Sequence, residues 1–151
     1  MYSTNETLRA IGRVMARYAQ EQTATMNADG VIEAAPLLKP WRTGTIDEPA
    51  KYALDDVRTD EGQPWRCVQG HSHYGEPGWN PAQNRALWAP YHATKREYAL
   101  AWVKPTNATD IYKTGEWMIW TDGEAYKCVQ NTEWDPVTLP NAWEKWTGDG
   151  E

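Results

Sequence analysis

The sequence repeats itself, and that constrains it more than any single motif. Trp65-Arg-Cys-Val-Gln69 returns 61 residues later as Tyr126-Lys-Cys-Val-Gln130. Trp41 and Trp102 are also 61 apart, and Tyr52 and Tyr112 are 60 apart. Further along, Trp79-Asn-Pro81 returns as Trp134-Asp-Pro136 and Trp88 as Trp143, each at an offset of 55. The drop from 61 to 55 puts six extra residues in one loop of the first unit, around His71 to Gly78. Marks in one order, twice, mean one small supersecondary unit built twice.

A unit of about 45–50 residues buries little surface and needs staples or dense aromatic packing. The composition supplies the second: 10 Trp, 8 Tyr and no Phe, with every Trp between Trp41 and Trp146. Each such ring buries roughly 150–250 Å², so a few can replace a conventional core. Short strands are expected at 54–59 and 65–69, around a turn at Asp60-Glu61-Gly62, and again at 117–121 and 125–130 around Asp122-Gly123. A third short strand in each unit holds Trp88 or Trp143. The reading is two small all-β modules in tandem, at 41–92 and 98–146. Cys67 and Cys128 occupy one repeat position, beside a Val on a strand. They read as two buried free thiols, since a bridge would require the two hairpins to touch.

The first 40 residues contain no Trp. Ser3-Thr-Asn-Glu6 has capping-box spacing, and Leu8, Ile11, Met15 and Tyr18 follow at intervals of 3, 4 and 3. The spacing predicts an amphipathic helix from about Thr4 to Thr23 and also suits a and d positions of two heptads. Asp29-Gly30 reads as a break. Val31, Ile32, Leu37 and Leu38 form a second apolar patch, ended by Pro36 and Pro40. Residues 1–40 either pack on the first module or act as an anchoring or oligomerisation segment through Leu8, Ile11, Met15 and Tyr18.

Charge and pattern exclude several functions. Net charge is −6, and no basic run exists to neutralise phosphates, so nucleic acid is not an expected partner. No apolar run approaches the roughly 20 residues of a membrane span, so no membrane insertion is expected. Glu6, Arg9, Arg13 and Arg17 interrupt any secretory core, so no signal peptide is read. His71, His73 and Cys67 fall short of a four-ligand zinc set, and unit two has no histidines, so no metal or other cofactor is expected. Asp55, Asp56, Asp60 and Glu61 cluster at a hairpin, where Asp forms turns. No Gly-rich phosphate loop or nucleophile motif occurs, and the chain reads as a non-enzyme.

Trp65-Arg-Cys-Val-Gln-Gly-His-Ser72, then Trp79-Asn-Pro81, then Ala86-Leu-Trp88 resembles the small Trp-rich chitin-binding modules at the ends of bacterial chitinases. Unit two resembles them through Tyr112-Lys-Thr-Gly-Glu-Trp117, Tyr126-Lys-Cys128, Trp134-Asp-Pro136 and Trp143. The resemblance implies a twisted antiparallel β-fold in each unit; with the helix read from residues 4–23, the expected fold is mainly β with an N-terminal α-helix. It also implies a carbohydrate-binding surface: Trp79 and Trp134 stacking on sugar rings, flanked by Pro81, Pro136, His71 and Ser72. The sequence departs from the pattern with Arg85 where the family has Pro, Asp55 where it has Gly, and Asn131-Thr-Glu133 in place of the His-Thr pair.

The order of parts also resembles a set of bacteriophage virion proteins. There a short helical segment runs through a junction like Leu37-Leu-Lys-Pro-Trp41 into one such module. The expected function is a non-enzymatic virion structural protein, assembled in the host cytoplasm, whose modules contact host-surface or environmental polysaccharide. Its other expected partners are further virion proteins and, through the helix, copies of itself. Two alternatives stay open. One is a purely structural assembly or decoration protein with its Trp faces buried on neighbouring subunits. The other is an accessory chitin-binding module of a polysaccharide-degrading system.

Overall fold

A computed structural model describes residues 1–75 and 77–148. The chain is mainly β with an N-terminal helix, α1 (Thr4–Gln22). Its start is fixed by a complete capping box: the Ser3 hydroxyl accepts from the Glu6 N–H at 3.1 Å, and Glu6 accepts from the Ser3 N–H at 2.8 Å. Asp29-Gly30 is not a break. It lies inside a second helix, α2 (Ala28–Ala34), because the Asn27 side chain caps the Gly30 N–H at 2.8 Å and offsets the low helix propensity of glycine.

In the first Trp-rich unit, β1 (Ala50–Tyr52), β2 (Val57–Asp60), β3 (Gln63–Cys67), β4 (His71–His73) and β5 (Trp88–Pro90) make two small sheets, β1–β4 and β2–β3–β5. The β2–β3 hairpin turns through Glu61 and Gly62, both at positive φ (52° and 76°), the geometry that follows strand twist in a two-residue turn. In the second unit, β6 (Leu100–Ala101), β7 (Trp117–Ile119), β8 (Ala125–Cys128) and β9 (Trp143–Lys145) form one sheet, with β6 parallel to β7 and the rest antiparallel.

Among the described residues, three apolar clusters result. Tyr52, Trp65, Cys67, Leu87 and Trp88 fill the first unit, and Tyr112, Met118, Cys128, Ala142 and Trp143 the second. Ala19, Val31, Leu38 and Val57 form the third, where α2 and the end of α1 meet β2. At ~25 cal/mol per Å², one buried indole contributes about 4–6 kcal/mol before chain entropy is counted.

The repeat reappears as matching hydrogen bonds. The Tyr52 hydroxyl accepts from the Arg42 N–H at 2.9 Å, and the Tyr112 hydroxyl from the Val103 N–H at 3.1 Å. The Trp41 N–H donates to Thr59 and the Trp102 N–H to Ile119, both at 2.8 Å. Each cysteine is a buried free thiol, and each donates to the carbonyl two residues on: Cys67 to Gln69 at 3.2 Å, Cys128 to Gln130 at 3.1 Å. Burial pushes both thiols above their ordinary pKa, so both stay protonated at neutral pH.

The resemblance's departures also find reasons here. Asp55 has φ 73° and Gly115 has φ 96°, and each donates its N–H to its unit's cysteine carbonyl at 2.8 Å. Asp tolerates this left-handed conformation better than most non-glycine residues, so the position survives without Gly. Arg85 joins the units. It donates to Asp110 at 2.5 Å and to the Lys104 carbonyl at 3.1 Å, and its guanidinium lies 5.3 Å from the Trp65 ring centre. Asp110 is only 4% exposed and also accepts from the N–H groups of Thr106 and Asn107. Asp29 of α2, itself buried, accepts from the N–H and hydroxyl of Thr94 in the linker.

Candidate functional site

Trp79 and Trp134 stand in corresponding loops with exposed rings, at 37% and 46% exposure. They are held differently. Trp79 ends a short 3-10 turn (Pro77–Trp79) and lies on His73, with ring centres 5.2 Å apart and planes 15° from parallel. His73 in turn stacks on Trp41 at 5.5 Å. The result is a three-ring pile, Trp41–His73–Trp79, in which His73 is buried, Trp41 half-buried and Trp79 exposed.

Trp134 stacks on no ring among the described residues, and its backbone is fixed instead. Its N–H donates to the Thr132 hydroxyl at 2.9 Å, and its carbonyl accepts from the Trp143 indole N–H at 2.9 Å. Asp135 organises the next turn by accepting from the Val137 and Thr138 N–H groups at 2.9 and 2.7 Å. Those bonds, with the Thr138 N–H contributing most, hold the Asp135 carboxyl below its ordinary pKa.

The remaining expected site residues differ in exposure and in what they touch. Pro81 is fully buried at the start of a 3-10 turn, where proline's fixed φ suits the first position. It is a core residue, which corrects the expectation that it flanks a binding surface. Pro136 is half-buried. His71 packs inward, its ring centre 5.5 Å from Tyr52 and 5.6 Å from Trp88, with Nδ1 2.7 Å from the Gln69 carbonyl. Ser72 is exposed on the opposite face of β4, because side chains alternate along a strand. The expected His71–Ser72 pair is therefore split between two faces.

His73 is the residue that seats Trp79, and sequence reasoning treated it only as a zinc candidate. Its place one residue further along the strand than Ser72 was the available signal. Leu8, Ile11, Met15 and Tyr18 of α1 are 59%, 48%, 53% and 63% exposed and are joined by Val14 at 56%, so the helix carries an uncovered apolar stripe.

A charge feature also emerges that linear inspection missed. Lys39, Arg42, Lys51 and Arg58 line one recess of about 450 Å³ together with Pro40, Ala50 and Tyr52. The sequence has no basic run, but the fold gathers four cations at one edge of the first unit. Among the described residues no group of three or more His, Cys, Asp or Glu is placed to hold a metal ion.

No protein-family model matches the chain, and no curated protein sequence matches it. Among solved structures, part of the chain is similar to a family GH18 chitinase from Chromobacterium violaceum. Identity is 24%, coverage is 42% of this chain and 17% of that one, and the TM-score is 0.30. A likeness at that TM-score carries no argument about fold or function. The fold itself is that of a mainly β chain with paired Trp-rich cores. Within it, the exposed indole of each unit and the helical stripe of α1 are apolar surfaces open to solvent.

Proposed function

We propose that the protein is a non-enzymatic virion component that touches polysaccharide through Trp79 and Trp134. Its exposed α1 stripe would anchor it to other assembly proteins or to its own copies. The observation that carries the reading is a half-exposed indole in the same loop of both units, each fixed by a stack or by backbone hydrogen bonds. A flat, pre-positioned aromatic face suits the apolar face of a sugar ring at low entropic cost. One ring per unit gives weak affinity, which multiplicity on a particle raises through avidity.

A pull-down of the full chain with chitin and with host cell-wall glycan tests the reading. Wild type should be retained on at least one, and Trp79→Ala with Trp134→Ala should lose retention while keeping its far-UV spectrum. Equal retention of both forms, or of neither, removes the glycan role. A second reading, that the Trp faces are covered by neighbouring subunits, draws on the exposure of Val129 (41%) and Val137 (74%) in the unit that presents Trp134. A resolved assembly with Trp134 at a protein interface would favour it.

A further inference from the structure

We infer that the glycan contacted by the first unit carries regularly spaced negative charge, and that the Lys39–Arg42–Lys51–Arg58 recess receives it. The inference rests on the polysaccharide reading above and narrows its ligand class. Lys39, Arg42 and Lys51 are exposed and Arg58 is half-buried. None of the four has an ion-pair partner among the described residues. No Asp or Glu is among the residues that line the recess with them.

The backbone around the recess is fixed, and so is the Arg58 side chain. The Tyr52 phenol donates to the Arg42 carbonyl at 2.6 Å and accepts from the Arg42 N–H, which pins the backbone that carries this guanidinium. Arg58 lies over the Tyr52 ring at 5.3 Å and also donates to the Val57 carbonyl at 2.8 Å. The Lys39 backbone is clamped from both sides, its N–H donating to Gln20 and its carbonyl accepting from Thr59, each at 2.9 Å. Lys51 lies on β1, paired with Ser72 of β4.

The recess adjoins the exposed indole through one cross-strand pair. Ala50 lines it and pairs with His73, and His73 carries Trp79. A polymer lying on Trp79 and running along β1 would bring its next charged substituents to the four cations. Guanidinium and ammonium groups bind carboxylate and phosphate alike. The shared chemistry is therefore an anionic polymer, either uronic-acid-based or polyol-phosphate-based.

The experiment compares binding of the full chain to three polymers: chitin, a polyuronate and a polyol-phosphate polymer. Wild type is measured beside Lys39→Ala/Arg42→Ala/Lys51→Ala and beside Trp79→Ala/Trp134→Ala. The three cationic side chains are exposed, so their removal should not disturb folding; circular dichroism checks this. Wild type should bind one anionic polymer at least tenfold more tightly than chitin and lose most of that gain in 0.5 M salt. The triple variant should bind that polymer at least tenfold more weakly and bind chitin unchanged. Equal affinity of wild type and triple variant for every anionic polymer overturns the inference while leaving the polysaccharide reading in place, provided the Trp variant has lost binding. If the Trp variant binds all polymers like wild type, the polysaccharide reading itself fails and takes this inference with it. The two anionic arms separate the carboxylate source from the phosphate source.

Discussion

The two units share a frame and differ in how they hold the loop above it. In both, the tyrosine hydroxyl, the cysteine thiol and the left-handed residue before the hairpin make the same bonds at nearly the same lengths. Above that frame, unit two closes its loop with a bond from the Trp143 indole to the Trp134 carbonyl. Unit one has six more residues there, and its Trp88 indole N–H is buried with no hydrogen-bond partner among the described residues. The extra residues supply His73 as a support for Trp79 instead. The frame is thus fixed by backbone bonds that tolerate little change, and loop length is spent on presenting a ring.

The largest expected effect lies between the units. Arg85→Ala removes the ion-pair partner of buried Asp110, and should cost about 3–5 kcal/mol in urea unfolding. Replacing both charges, Arg85→Met with Asp110→Asn, keeps an acceptor for the Thr106 and Asn107 N–H groups and should recover part of that loss. If Arg85→Ala costs under ~1 kcal/mol, the units are not joined by this pair. Next comes the left-handed position. Gly115→Ala puts a Cβ at φ 96° and should cost more than ~1 kcal/mol, whereas Asp55→Gly should stay within ~1 kcal/mol of wild type. Equal effects at the two sites would mean that the frames are less alike than their hydrogen bonds.

The exposed rings should separate by a smaller margin. Trp79→Ala forfeits the stack on His73 and should destabilise by ~0.5–1.5 kcal/mol more than Trp134→Ala. Thermal midpoints of the two variants measure this. Smallest is an acid effect confined to unit two, because unit one carries Asn80 where unit two has Asp135. The folded-state pKa of Asp135 is depressed. Its stabilisation is therefore full above the ordinary carboxylate range and lost as pH falls through the lowered value. Asp135→Asn should flatten the acid limb of the stability profile slightly, and an unchanged limb would assign acid sensitivity elsewhere.

These contrasts track what the residues alone disclosed. The hairpins around Gly62 and Gly123, the strands of Trp88 and Trp143, and the helix after Ser3 are local patterns, visible within a few residues of themselves. What escaped is non-local. α2 runs through Asp29-Gly30 because Asn27 caps it, and buried Asp29 serves Thr94, 65 residues away. Arg85 looked like a departure from a pattern until Asp110 lay against it. The basic recess draws on positions 39, 42, 51 and 58, too scattered to read as a patch in one dimension. Of the expected surface, the two indoles were legible as repeated Trp-x-Pro marks. The burial of Pro81 and the seating role of His73 depended on strand alternation and on the inserted loop.

The Arg85–Asp110 pair has a further consequence. A flexible linker would let each indole search for a sugar on its own, whereas a buried clasp between the units, with Asp29 holding the linker at Thr94, keeps both rings on one frame. Two points on one frame act as a caliper. If both rings grip a polymer, a chain whose repeat matches the jaw opening is held twice, and one of any other pitch is held once. The protein would then sort polymers by period before sorting them by the identity of a sugar.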